Sequence, residues 1–255
     1  MLKISKYIIY DILRSKVLIA YTLFLFAISF ALFYLEPDPA KSVASLLSVV
    51  LIIVPLISAV FTTTYFYNAY EFIELLVAQP LSRTTILMGQ LMGVSASMLA
   101  AFAVGVGVPV LMYTPNATGF VLLFAGLALS LCFISLAFFS SVAMRDKAKG
   151  IGLSLMLLFY FAVIYDAIVL GILFSFSDYP LDKAVIALAS LNPIDMARIM
   201  VLMQLDISAL MGFTGAVYKQ FFGGSFGMLY TAAVMLVWIL LPMLAAVQMF
   251  KKKNL

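Results

Sequence analysis

Apolar residues along this chain come in long runs, and polar residues gather in the short intervals between them. A helix needs about 20 apolar residues to cross the hydrocarbon core of a bilayer. Six windows reach that length: 17–35, 43–67, 86–113, 120–144, 151–176 and 226–250. The second carries Pro55, which can kink a helix, and the sixth carries Trp238 and Pro242. The pattern predicts an all-α integral membrane protein, with one transmembrane domain over residues 1–255.

The stretch ahead of the first window, residues 1–16, is patterned differently. Ile4, Ile8 and Ile12 recur at helical spacing, while Lys3, Lys6, Tyr10 and Arg14 lie mostly around the other side. This predicts an amphipathic helix that either runs on into the first span or lies on the membrane surface as an elbow. The apolar run behind it is too long for a signal peptide and has no small-x-small cleavage site.

Two intervals are more than turns. Residues 68–82, between the second and third windows, contain Glu71 and Glu74 on one side and Phe72, Leu75, Leu76 and Ala78 on an apolar side. Pro80 ends the pattern, because proline disfavours helix in the residue before it, and Ser82 or Thr84 is placed to cap the next helix beside Arg83. A solvated loop would not need an apolar side. Headgroups of an anionic leaflet would repel the glutamates, so a protein partner is the expected occupant.

The second interval, 177–225, is too polar to span and too apolar for a solvated loop. Asn192, Pro193 and Asp195 read as N-cap, first helical position and dipole complement of a short helix. Met196, Met200 and Met203 share one of its faces, near Arg198. Thioethers are soft ligands that suit Cu(I), but methionine also fills irregular apolar gaps, and packing is the expected role. Gly212, Gly215 and the pair Gly223–Gly224 then suggest a short helical pair re-entering the outer leaflet before the sixth window.

Composition narrows the chemistry. The chain is 65% hydrophobic and 10% charged, lacks histidine, and has one cysteine, Cys132, within an apolar run. Disulfide frameworks, histidine bases and Cys/His metal sites are therefore excluded. No GxxxxGK[ST] loop occurs, so ATP is not hydrolysed by that route here, and no catalytic residue or cofactor is expected in the chain itself. Lysine and arginine set the orientation: with the N-terminus in the cytoplasm, eleven basic residues lie inside and four outside, which puts both ends inside. Gly105, Gly107 and the small residues of 130–135 are read as helix-packing positions. Asp166 is the one acidic residue near the middle of a window, where a charge costs about 3 kcal/mol on insertion scales. It predicts either a group facing a pore or cavity, or a protonated or hydrogen-bonded side chain tying helices together. No basic partner is in view for it.

The acidic helix followed by Pro80-Leu-Ser-Arg83 and the Ile86-Leu-Met-Gly89 start of the next span resembles the cytoplasmic coupling helix of type-2 ABC exporter permeases. The basic elbow, six spans, inner termini and re-entrant pair resemble that family over the whole chain. The stretch from Leu191-Asn-Pro-Ile-Asp195 through Gly212 to Phe222 is similar to the branch that serves copper-site maturation of nitrous oxide reductase. The resemblance implies a homodimer in the bacterial inner membrane and a separate cytoplasmic ABC ATPase that binds ATP and Mg. It also implies a periplasmic protein partner, contact with the lipid bilayer and no nucleic acid. Glu71, Glu74, Pro80 and Arg83 would then couple to the ATPase. The cargo stays open among a copper ion, a sulfur species, a lipid or drug, and none at all, the last making the chain a scaffold that transmits force.

Overall fold

A computed structural model describes residues 2–176, 182–205 and 225–252. All regular structure among the described residues is helical. We number the helices α1 (Leu2–Leu13), α2 (Lys16–Leu35), α3 (Pro39–Asn68), α4 (Tyr70–Val77), α5 (Arg83–Phe102), α6 (Val108–Tyr113), α7 (Ala117–Ala143), α8 (Lys147–Phe159), α9 (Tyr165–Ser175), α10 (Asp182–Ser190), α11 (Pro193–Leu202) and α12 (Ser225–Lys252). Six stretches are long and apolar enough to cross a membrane: Lys16–Leu35, Pro39–Asn68, Arg83–Tyr113, Ala117–Ala143, Lys147–Ser175 and Phe226–Lys252.

The polar intervals are helix caps. Asp38 accepts from the Ala40 amide ahead of α3, with Pro39 in the first turn. Ser82 accepts from Thr85, Asn116 from Gly119, Asp146 from Lys149 and Asn192 from Ile194. Each satisfies a backbone donor that the first helical turn would leave without a partner. Arg14 and Ser15 break α1 from α2, so the N-terminal helix does not continue into the first span.

Two spans contain a widened, π-helical turn. In the third it covers Ala103–Gly107, joining α5 to α6; in the fifth it covers Tyr160–Ile164, joining α8 to α9. The first has a local cause. Pro109 has no N–H to give the Gly105 carbonyl four residues earlier, and its ring would collide with that carbonyl in a regular helix. Gly105 also lets α2 approach: a Cβ there would stand 2.8 Å from Leu25 Cβ and 3.0 Å from the Thr22 carbonyl.

Helix α7 is the centre of the bundle. Of its most apolar window, 72% is buried, against 11% for the fifth span, which lies along the outside. Small residues allow this: Ala125, Gly126, Ala128, Ser130, Ser135, Ala137, Ser140 and Ser141 are all buried on α7. Ser130, Ser140 and Ser141 each donate to the carbonyl four residues back, so their hydroxyls need no partner on another helix.

Beyond the fifth span the chain doubles back. The axes of the pair Ala184–Ser190 and Pro193–Leu202 are bent by 115° at Leu191–Asn192, and α11 packs on α7, α12 and α3. The glycine-rich stretch 210–224, expected to form a re-entrant pair, lies outside the described residues.

Candidate functional site

At the end of the bundle where α1 begins and α12 finishes, α4 follows α3 after the single residue Ala69. Ile73 and Leu76 are buried against the bundle. Glu71, Glu74, Leu75 and Ala78 are exposed; their spacing of three, four and seven residues puts them on one face. Leu75 is 67% exposed, an apolar centre between two carboxylates, and neither glutamate forms an ion pair among the described residues. The expected apolar side of this helix is thus divided. Leu76 seats it, Leu75 faces away, and Ile73 is the second seat. Pro80 is exposed past its end, and Arg83 is half-buried at the start of α5.

The seat is built by three other helices. Tyr7 of α1 stacks on Phe72, ring centroids 5.4 Å apart. Tyr65, one turn from the end of α3, donates its hydroxyl to Asp11 of α1 at 3.3 Å. Ser5 donates to the Gly89 carbonyl at 3.0 Å, and Ile8 lies over Gly93, where a Cβ would approach its Cγ2 to 2.5 Å. The end of α3 is also tied to the α7–α8 turn. The Tyr67 hydroxyl reaches the Ser141 and Met144 carbonyls, both at 3.2 Å, and Lys147 Nζ donates to Asn68 Oδ1 at 2.8 Å. A displacement of α4 would therefore pass into α1, the second and third spans and, through α3, the fourth.

At the opposite end, the structure brings together three of the residues singled out from the sequence. Asp166, on α9, meets Arg198 Nη1 at 3.3 Å, and the same nitrogen meets Asp195 at 3.0 Å. Asp166 therefore has a basic partner after all, carried 32 residues further along on α11. Asn192 Nδ2 donates to Asp195 at 3.1 Å, to Asp166 at 3.4 Å and to the Phe161 carbonyl of the widened turn at 2.9 Å. Burial, opposed by Arg198 and reinforced by the Asp166 carboxylate, pushes Asp195, which lies outside the six spans, up to about 6.

Aromatic residues fasten the same junction. Tyr165 donates to the Leu188 carbonyl at 2.6 Å, Ser190 and Tyr230 share a hydrogen bond of 2.8 Å, and Trp238 Nε1 donates to the Ser190 carbonyl at 3.1 Å. The lone tryptophan in an apolar span was the available signal, since a buried indole N–H needs an acceptor.

The methionine face of α11 is turned inward. Met196 and Met200 are buried in the core and Met203 is half-buried and packed against it. Among the described residues no group of three Cys, Asp or Glu side chains could hold a metal ion.

Residues 3–255 match the sequence model of the ABC-2 family transporter proteins. The chain is also similar to the probable ABC transporter permease protein NosY of Pseudomonas aeruginosa, with 28% identity over 183 residues. That similarity covers 67% of this chain and 66% of the relative, just under two thirds of the latter's length.

Proposed function

The chain belongs to the ABC-2 family of transporter proteins and is a multi-pass permease subunit, and we propose that α4 is the helix through which a separate ATPase drives it. In this reading the protein is a homodimer in the inner membrane with both termini cytoplasmic. A NosF-like ATPase binds ATP and Mg on the inner side, and a NosD-like protein stands on the periplasmic side. The work done serves copper-site maturation of nitrous oxide reductase, by transport or by conformational force.

The observation that carries the reading is the exposed face Glu71, Glu74, Leu75, Ala78 on a helix whose opposite residues, Ile73 and Leu76, lock it to the bundle. An apolar centre flanked by carboxylates that form no ion pair among the described residues suits a basic-rimmed groove on a protein partner. A helix so seated moves with α3 and α5, which is the rigid-body mode of switching. The turn Arg145–Asp146 and the start of α8, tied to Asn68 through Lys147, extend the same end of the molecule.

The test is co-purification. Glu71→Lys with Glu74→Lys should leave membrane insertion unchanged while the ATPase is lost from detergent pull-downs. Undiminished recovery of the ATPase would remove α4 from the coupling role.

A further inference from the structure

Asp166 and Asp195 belong to different elements, the fifth span and the external helix α11, yet their carboxyl groups are held by the same two donors. Asn192 Nδ2 lies 3.4 Å from Asp166 Oδ1 and 3.1 Å from Asp195 Oδ2. Arg198 Nη1 lies 3.3 Å from Asp166 Oδ2 and 3.0 Å from Asp195 Oδ1. One guanidinium thus serves two carboxyl groups, and full ionisation leaves one negative charge without a counterion among the described residues.

Among the described side chains, the surrounding elements supply no second cation. Helix α7 has no charged residue, and α12 has only Lys251 and Lys252, at its far end. On α3 the cation towards this side is Lys41, which is exposed in the first turn. Helix α10 has no charged residue from Ala184 to Ser190. The fifth span adds the hydroxyls of Tyr160 and Tyr165 beside the pair, and no cation there. Charges this close, partly withdrawn from water, cannot both ionise without cost, and a proton held between them removes the repulsion.

We propose that Asp166 and Asp195 share one proton, and that this proton latches the external helix onto the widened turn of the fifth span. The same Asn192 that bridges the pair holds the Phe161 carbonyl of that turn at 2.9 Å and caps α11 through Ile194. Protonation state and helix docking are therefore read by one side chain. The sign follows from the raised Asp195: the latch is complete in acid and is lost as pH rises through about 6. Loosening it frees the outer part of the fifth span, α9, from the bent pair α10–α11.

The protein contains its own reporter. Trp238, the single tryptophan, donates to the Ser190 carbonyl and packs edge-on against Phe161, ring centroids 5.1 Å apart. The full-length protein in lipid nanodiscs should show one shift of tryptophan emission centred near pH 6. Infrared difference spectra should show a protonated-carboxyl band disappearing with the same midpoint. Asp195→Asn and Asp166→Asn, each an isosteric stand-in for the protonated group, should hold the low-pH emission throughout and remove the midpoint. A flat emission in the wild type, or a shift that survives unchanged in both variants, would overturn the proposal. So would an infrared carboxyl band that does not titrate, and that reading needs no variant to fold.

Discussion

Tyr7 of the N-terminal helix stacks on Phe72 of α4, ring centroids 5.4 Å apart and planes inclined by 30°. This single contact joins two amphipathic helices that are 65 residues apart in sequence. It explains why Phe72 belongs to the seat of α4 and not to its free face. Aromatic pairs of this kind contribute about 0.5–1.5 kcal/mol beyond their buried area. Tyr7→Ala and Phe72→Ala should each lower thermal stability in detergent. The double variant should cost less than the two combined by about that amount, as a double-mutant cycle measures. Strict additivity would mean the rings do not interact.

Gly93 makes a sharper prediction about α1. A Cβ at that position would lie 2.5 Å from Ile8 Cγ2 and 2.7 Å from Ile8 Cβ, with the Ser5 carbonyl at 3.3 Å. Overpacking of this kind costs about 1–3 kcal/mol, and here relief means lifting α1 off α5. Gly93→Val should therefore raise the rate at which a cysteine placed at buried Ile12 is labelled by a water-soluble maleimide. The six spans should persist, because the clash concerns α1 alone. An unchanged labelling rate would show that α1 is not held at this point.

Asn192 is buried; its Nδ2, with two N–H groups, lies within hydrogen-bond distance of three acceptors, and its Oδ1 accepts as the N-cap. Asn192→Ala removes the cap, for about 1 kcal/mol, and leaves the Phe161 carbonyl and two carboxyl groups short of a donor, for about 1–3 kcal/mol more. Asn192→Asp keeps the cap oxygen but adds a third carboxyl group to a site with one guanidinium. Its melting temperature should fall below that of the alanine variant at neutral pH and recover in acid. The order of the two variants at neutral pH is the measurement. Alanine being the worse would mean that charge does not govern the junction.

The parts of this structure that were legible in the sequence are those set by local physics. A window of about 20 apolar residues has few alternatives to a membrane helix. Ser82 and Asn192-Pro193 announce helix starts because a capping oxygen acts within three residues, whereas the caps at Asp38, Asn116 and Asp146 lie in stretches that read as turns. The parts that were not legible depend on what lies opposite. Phe72, Leu75 and Leu76 form as good an apolar stripe as Ile73 and Leu76, and only the position of Tyr7 and α5 decides that Leu75 is left outside. Asp166 looked unpaired because its arginine arrives on a helix bent by 115° beyond the span. The widened turn at Pro109 has a proline to betray it, whereas the one at Tyr160–Ile164 has none, and its Phe161 carbonyl accepts from Asn192.

Ile73 and Leu75 are two residues apart on the same short helix and should respond in opposite ways to the same kind of change. Ile73 is fully buried, so Ile73→Ala should destabilise by about 2–5 kcal/mol and displace α4 from its seat. Leu75 is 67% exposed, so Leu75→Asp should change stability by no more than about 0.5 kcal/mol. If α4 is the docking helix, Leu75→Asp nevertheless puts a charge at the apolar centre of the contact. Truncation of a central anchor commonly costs about 2 kcal/mol or more in affinity, which is over tenfold in ATPase binding. Melting curves and binding isotherms on the two variants separate seat from surface: stability moves with Ile73 and affinity with Leu75. Equal loss of stability in both would place Leu75 in the fold, and full ATPase affinity in Leu75→Asp would place the docking surface elsewhere.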